Sequence, residues 1–319
     1  MRKRVLIFDQ DADWLCDKLR GHCPDYAFLG ESGARVPAET AATAEILCAL
    51  APRITPDLIR AMPRLEWVQA LTTGVDNLLA MEALDPGVTI TNARGIHGSQ
   101  MSELAILLMM AAARRFPLTV ANQARGAWER WPQPLLQGKT ACIVGLGVIA
   151  EALAERCRAF GVTLVGVSDG RSELPGFAQI FRRSALAQAV AGADFVVVVV
   201  PYAPETHHLV DAKILAAMKP SAILVNISRG GCVDEAALEH ALSSGAIGGA
   251  ALDVFETEPL PSESPFWSMP NVIVTPHIGG MSDIYAEQVL PVVAENLAAY
   301  AKGGASALKN RVERKGAAA

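Results

Sequence analysis

The sequence predicts an α/β protein built from two doubly wound parallel sheets with a cleft between them. Short apolar runs alternate with longer amphipathic segments from end to end, as parallel strands and their crossover helices require. Five consecutive valines at 196–200 need apolar cover on both faces, which puts that strand at the centre of a parallel sheet. A chain of 319 residues also exceeds the size at which one hydrophobic core stops growing, so two domains are expected.

In the first part, residues 5–8, 46–49, 67–70 and 88–91 are the strand candidates. In the second part, 141–145, 163–167, 195–200, 222–227, 249–253 and 272–274 take that role. Between them, 99–115 reads as a helix with Ser99 or Ser102 as N-cap, apolar all round and therefore expected to be buried between the domains. A further helix over about 283–301 follows the last strand. If it returns to the first domain, the chain divides into 1–98 with 283–319 and a continuous 99–282. Two crossings make a hinge, and clefts at hinges bind small ligands. The Gly/Ala-rich tail after Lys302 is expected to be loose.

Composition narrows the function classes. With 51% hydrophobic and 19% charged residues the chain is globular, and a net charge of −5 gives no electrostatic case for nucleic acid or anionic membrane. The apolar run behind the basic start ends at Asp9, too short for a secretory signal, and the longest apolar stretch, 104–113, cannot span a bilayer. Six scattered cysteines lack metal-ligand or redox spacing and read as buried thiols of a cytoplasmic protein.

The segment Gly145-Leu-Gly147-Val-Ile-Ala150 follows an apolar strand and opens an amphipathic helix. In this G-x-G-x-x-A pattern Gly145 permits the turn, Gly147 lets backbone approach a pyrophosphate, and Ala150 keeps helix and strand close. The helix start, with Leu146, Val148 and Ile149, would supply N–H groups to the phosphates. A lone pattern of this kind can be an ordinary turn; its context here makes it a dinucleotide site. At the end of the second strand, Ser168 and Arg171 favour a ribose 2′-phosphate and Asp169 opposes it. The cofactor is thus NAD or NADP, with a slight lean to NADP.

Three later segments each place a titratable or charged group just past a strand: Val225-Asn-Ile-Ser-Arg229-Gly-Gly231, Ala250-Ala-Leu-Asp253-Val-Phe-Glu-Thr-Glu258-Pro259 and Val274-Thr-Pro-His277-Ile-Gly-Gly280. With Leu71-Thr-Thr-Gly-Val-Asp-Asn77, Asn92-Ala-Arg-Gly95 through Glu103, and Pro201-Tyr-Ala-Pro-Glu-Thr206, they run in one order along nearly the whole chain. In these motifs the sequence resembles the D-isomer-specific 2-hydroxyacid dehydrogenase family, in its glyoxylate/hydroxypyruvate reductase-like form. The resemblance implies a Rossmann dinucleotide-binding domain with a flavodoxin-like substrate domain, a catalytic triad of Arg229, Glu258 and His277, and a homodimer. It also implies substrate contacts at Thr73, Gly74, Val75 and, more weakly, Arg94. Further cofactor contacts would come from Val200, Pro201, Thr206, Ile227, Ser228, Asp253 and Gly279.

Reducing a 2-keto acid needs a hydride at C2 and a proton on its oxygen. His277 is the expected donor, Glu258 would favour its imidazolium, and Arg229 would bind the substrate carboxylate or polarise the carbonyl. Taken singly, each has a plainer reading: a surface Arg at a helix entrance, a solvated loop carboxylate, a turn histidine. His22, His97, His207, His208 and His240 lack such company and read as structural or exposed. Trp267 stands open between pocket wall, core packing and subunit contact. On the same fold, formate dehydrogenases carry Gln where Glu258 stands, while a phosphite-type dehydrogenase or a non-catalytic NAD(H)-sensing interaction protein would keep the triad.

Overall fold

The computed structural model describes residues 2–314 and resolves two compact units, His97–Met281 and the described residues on either side of it. The first unit holds five strands: β1 (Lys3–Phe8), β2 (Tyr26–Glu31), β3 (Ile46–Ala49), β4 (Trp67–Ala70) and β5 (Thr89–Thr91). All their pairings are parallel, in the order β2-β1-β3-β4-β5. The second unit holds β6 (Thr140–Val144), β7 (Thr163–Val167), β8 (Phe177–Phe181), β9 (Phe195–Val198), β10 (Ile223–Asn226), β11 (Gly249–Leu252) and β12 (Val272–Val274). They form a seven-stranded parallel sheet in the order β12-β11-β10-β9-β6-β7-β8. Strand order reverses at β1/β3 in one sheet and at β6/β9 in the other, the switch points where doubly wound sheets bind ligands. The predicted pair of parallel α/β sheets is therefore present.

Strand alternation divides each sheet between two apolar layers. In the second unit Cys142, Val144, Val196 and Val198 pack in one layer, and Ala141, Ile143, Phe195 and Val197 in the other. The valine strand is central and its core residues are fully buried, but it ends at Val198. Val199 and Val200 leave it, and Val200 closes on the turn after β6.

Four expectations need correction. β2 and β8, both sheet edges, escaped the sequence reading; β8 has its apolar run broken by Gln179, and β2 ends on Gly30 and Glu31. The helix expected at 99–115 is Gly98–Ala113, with His97 as N-cap. Ser102 lies inside it, donating its hydroxyl to the carbonyls of Gly98 and Ser99. Nor is that helix buried all round, since Leu107 is 60% exposed. The tail after Lys302 is not loose as far as it is described: the Val312 N–H donates to the Ile90 carbonyl, Thr91 bridges Arg311, and the Arg314 guanidinium donates to the carbonyls of Leu78, Met81 and Leu84. Residues 315–319 of that expectation lie outside the described residues.

The last long helix, Tyr285–Gly303, belongs to the first unit. It is tied to the sheet by a dry polar network: Asn296 donates to Gln69 (2.8 Å), which accepts from Thr91 (2.8 Å), which accepts from the Trp67 indole (2.8 Å). All six cysteines are buried and free. Burial pushes the Cys16 thiol up to about 11 and Cys142 up to about 12, so these thiols stay protonated.

Candidate active site

The glycine turn joins β6 to the helix Val148–Ala159. Gly145 adopts φ +104°, and a β-carbon there would meet Val200 Cγ1 at 2.8 Å, so both backbone and space demand glycine. Gly147 is the exposed N-cap, and a β-carbon on it would meet nothing within 4 Å. Open space over the free N–H groups of a helix N-terminus fits a pyrophosphate. Leu146 and Ala150 are buried, Val148 is exposed and Ile149 half-buried, so the turn is anchored inward and faces outward at Gly147 and Val148.

At the end of β7 the Ser168 hydroxyl accepts from the N–H groups of Gly170 and Arg171 and so shapes the turn. Arg171 reaches back to Glu151 on the glycine-turn helix (2.5 Å). Asp169 does not stand alone: Arg183 pairs with its carboxylate (3.1 Å) and Arg182 donates to its carbonyl (2.5 Å). Sequence reasoning missed these two arginines because it missed β8, which they follow. Thr206 is buried with its hydroxyl bonded to backbone of Pro201 and Ala203, so it shapes the loop after β9, where Pro201 is exposed and Val200 half-buried.

The three loops after β10, β11 and β12 converge. His277 Nδ1 is 2.7 Å from Glu258 Oε2, and the other carboxylate oxygen accepts the Phe255 N–H at 2.9 Å. Burial works to raise the Glu258 pKa, but the His277 hydrogen bond, the Phe255 N–H and the charges of His277 and Arg229 together hold it below the usual carboxylate value. Arg229 thus belongs to the same electrostatic group. Its loop meets the Glu258 loop backbone to backbone: a β-carbon on Gly230 would fall 1.9 Å from the Phe255 carbonyl carbon. No other residue fits there.

Two buried side chains hold this corner. Asn226 accepts from the Ser228 N–H and hydroxyl and donates to the Arg229 carbonyl, stapling the turn that presents Arg229. Ile227 and Ser228 are themselves buried. Asp253, 1% exposed, accepts from the Thr275 hydroxyl (2.6 Å) and from the N–H groups of Ile278 (3.0 Å) and Gly279 (2.9 Å). These bonds flank His277, which is held at φ +52°, a left-handed conformation that costs a non-glycine residue energy. Asn226 lay in a quoted motif, yet only its amide geometry reveals the role.

His97, read from the sequence as structural or exposed, is half-buried. Its ring lies against Gly280, and its pKa falls to about 4, chiefly from burial and also from the nearby Arg229 charge. His207 and His208 stack at 3.9 Å, and His208 bonds Glu256 at 2.7 Å, so they buttress the loop before Glu258. Trp267 is half-exposed, with its indole N–H on the Pro261 carbonyl. In the first unit, the loops after β4 and β5 join through Asn92, which donates to the Thr73 carbonyl at 2.7 Å. Thr73 and Arg94 are exposed there, Gly74 half-buried and Val75 buried.

Residues 106–279 match the D-isomer specific 2-hydroxyacid dehydrogenase NAD binding domain. The chain is 32% identical over 310 residues to glyoxylate/hydroxypyruvate reductase B of Pectobacterium carotovorum subsp. carotovorum, covering 95% of this chain and 96% of that one. It is 35% identical over 257 residues to D-3-phosphoglycerate dehydrogenase of Methanocaldococcus jannaschii, matching 79% of this chain but spanning only about half (48%) of that longer protein. Among solved structures, a D-isomer specific 2-hydroxyacid dehydrogenase family protein of Aeromonas salmonicida superposes with a TM-score of 0.88 at 33% identity, over 98% of this chain and 99% of that one.

Proposed function

The chain belongs to the D-isomer-specific 2-hydroxyacid dehydrogenases, oxidoreductases that use NAD or NADP, and from that premise we propose that it reduces a small 2-keto acid of the glyoxylate or hydroxypyruvate kind to the D-2-hydroxy acid. The observation that carries this reading is the His277–Glu258 bond at 2.7 Å within the field of Arg229. Bound NAD(P)H supplies the hydride for C2. Glu258 occupies His277 Nδ1 and leaves Nε2 to give its proton to the C2 oxygen. An ionised Glu258 favours the imidazolium before transfer and steadies its orientation. Arg229 neutralises the substrate carboxylate with a planar fork of donors and draws charge toward the carbonyl oxygen as it forms. The N-terminus at Gly147 takes the cofactor pyrophosphate.

NADP is the proposed cofactor. With Asp169 neutralised by Arg183, Arg182 on its carbonyl, and Arg171 close by in the turn but paired with Glu151, the end of β7 suits a 2′-phosphate. A homodimer is proposed as well, because exposed apolar side chains concentrate between residues 107 and 135, with Trp128 92% exposed. No single helix among the described residues is long and apolar enough to cross a membrane; Gly98–Ala113 and Phe116–Ala124 pass that test only as a pair bent by 67°. Buried, protonated thiols suit a cytoplasmic setting.

The reading is tested by following reduced cofactor at 340 nm (the nicotinamide band) against a panel of 2-keto acids. Steady turnover of glyoxylate or hydroxypyruvate supports it. Tight cofactor binding without turnover, or turnover only in the oxidation of phosphite, contradicts it.

A further inference from the structure

The chain beyond the helix Tyr285–Gly303 runs along the edge strand β5 and is anchored at two points. At the first, Asn296 clasps Lys309 by both backbone groups, accepting its N–H (2.9 Å) and donating to its carbonyl (3.2 Å). At the second, Arg311 bridges Thr91 and the Val312 N–H donates to the Ile90 carbonyl at 2.9 Å. Between these anchors stands Asn310, at φ +54°. Its backbone carbonyl accepts the Asn92 N–H (3.1 Å), and its side-chain amide donates to the Arg94 carbonyl (3.2 Å). One residue thus grips the loop after β5 at two places.

That loop is laced in turn to the loop after β4. The Asn92 amide donates to the Thr73 carbonyl (2.7 Å), the Ala93 N–H to the Thr72 carbonyl (2.9 Å), and the Thr73 hydroxyl to the Ala93 carbonyl (3.3 Å). A shift of residues 92–95 would therefore be passed to residues 72–75. These two loops carry Thr73, Gly74, Val75 and Arg94, the expected substrate contacts.

We propose that Asn310 is a positioning residue for the substrate: it fixes the 92–95 loop, and through Asn92 the 73–75 loop, in the geometry that holds the keto acid. This rests on the 2-keto acid reduction set out above, with those two loops as substrate contacts. The residue type fits the task. Asparagine tolerates the left-handed backbone that turns the chain over the loop, and its amide supplies the donor that the Arg94 carbonyl accepts. Stability has other supports here, namely the buried Asn296 clasp, the packed Leu308 and the three carbonyls that Arg314 takes. The Asn310 amide bond lies at an exposed rim, where water replaces a lost partner at small cost in stability. A displaced substrate loop is costly in a different currency, because binding and reaction depend on sub-ångström placement.

The test measures KM for hydroxypyruvate, KM for the reduced cofactor and thermal unfolding on the parent, Asn310→Asp and Lys309→Ala. Asn310→Asp keeps the size and the tolerance of positive φ but removes the donor. It should raise the keto acid KM about tenfold, the effect of one hydrogen bond, with the cofactor KM and the thermal midpoint little changed. Lys309→Ala removes a surface ion pair with Glu295 and should move none of the three. If the aspartate variant does not fold, Asn310→Gly, which also permits positive φ, reads the same quantities. An unchanged keto acid KM, or both KM values rising together with a fall in the midpoint, overturns the role of Asn310 alone. A parent that turns over no 2-keto acid overturns instead the activity on which the proposal rests.

Discussion

Two hydrogen-bond networks in this chain do opposite work. In the first unit, Trp67, Gln69, Thr91 and Asn296 join side chains that are at most 1% exposed. In the second, the chain of bonds starts at buried Asp253, passes through the strained 275–279 loop and ends at His277 and Glu258, whose side chains are 43% and 35% exposed. A broken bond in the dry network strands its partners without water, so it registers as lost stability. A broken bond at the wet end is replaced by water, so stability barely changes while the proposed proton donor or its orientation is lost. Burial decides which of the two an experiment sees.

The largest effect that would sharpen this contrast is at His277. Changing His277→Gln should lower kcat by roughly a thousandfold, within the range of general acid catalysis, with KM and the thermal midpoint little changed. A fall in the midpoint as large as that of a core variant would break the comparison. Arg229→Ala comes next: kcat/KM for the keto acid should fall about a hundredfold, with KM raised, since a charged hydrogen bond to the carboxylate is removed. A normal KM would contradict that role. On the dry side, Asn296→Ala should cost about 2–3 kcal/mol by urea unfolding and leave kcat of the folded protein as it was. Smaller still is Arg182→Ala, expected to shift the ratio of kcat/KM with NADPH to that with NADH about tenfold toward NADH, one cationic contact to the 2′-phosphate being lost.

The smallest effect is in pH. Glu258 opposes burial but is held below the usual carboxylate value by His277, Phe255 N–H and Arg229, so it ionises more readily folded than unfolded. Its contribution to stability is present above the ordinary carboxylate range and fades as pH falls through the folded value. The difference in thermal midpoint between the parent and Glu258→Gln should be small at neutral pH and disappear as the pH falls below the ordinary carboxylate range. A difference that grows on acidification would reverse the sign.

The two sheets were legible wherever a strand is interior, because burial on both faces writes a continuous apolar run such as Phe195–Val198. Of the four edge strands, β5 and β12 were still legible, but β2 and β8 were not. β2 (YAFLGE) and β8 (FAQIF) are half-exposed and carry the polar residues that edges tolerate. Missing β8 also hid Arg182 and Arg183, and with them the neutralisation of Asp169. Arg229, Glu258 and His277 stood out because each motif pairs a strand end with a glycine or proline turn, and their grouping as a proposed triad came from the family resemblance. His97 did not, since its company is Gly280 and Arg229, far away in sequence. The tail misled because Gly and Ala suggest looseness, whereas Leu308, Val312 and Arg314 pin it through packing and backbone bonds that composition does not show.

The most direct test of the central claim is a double-mutant cycle on kcat with hydroxypyruvate, using His277→Gln, Glu258→Gln and the two combined. If Glu258 acts through the imidazole it holds at 2.7 Å, the double variant is no slower than His277→Gln alone, within about twofold. Losses that multiply would show two groups working independently, and the paired acid at the heart of this account would be wrong.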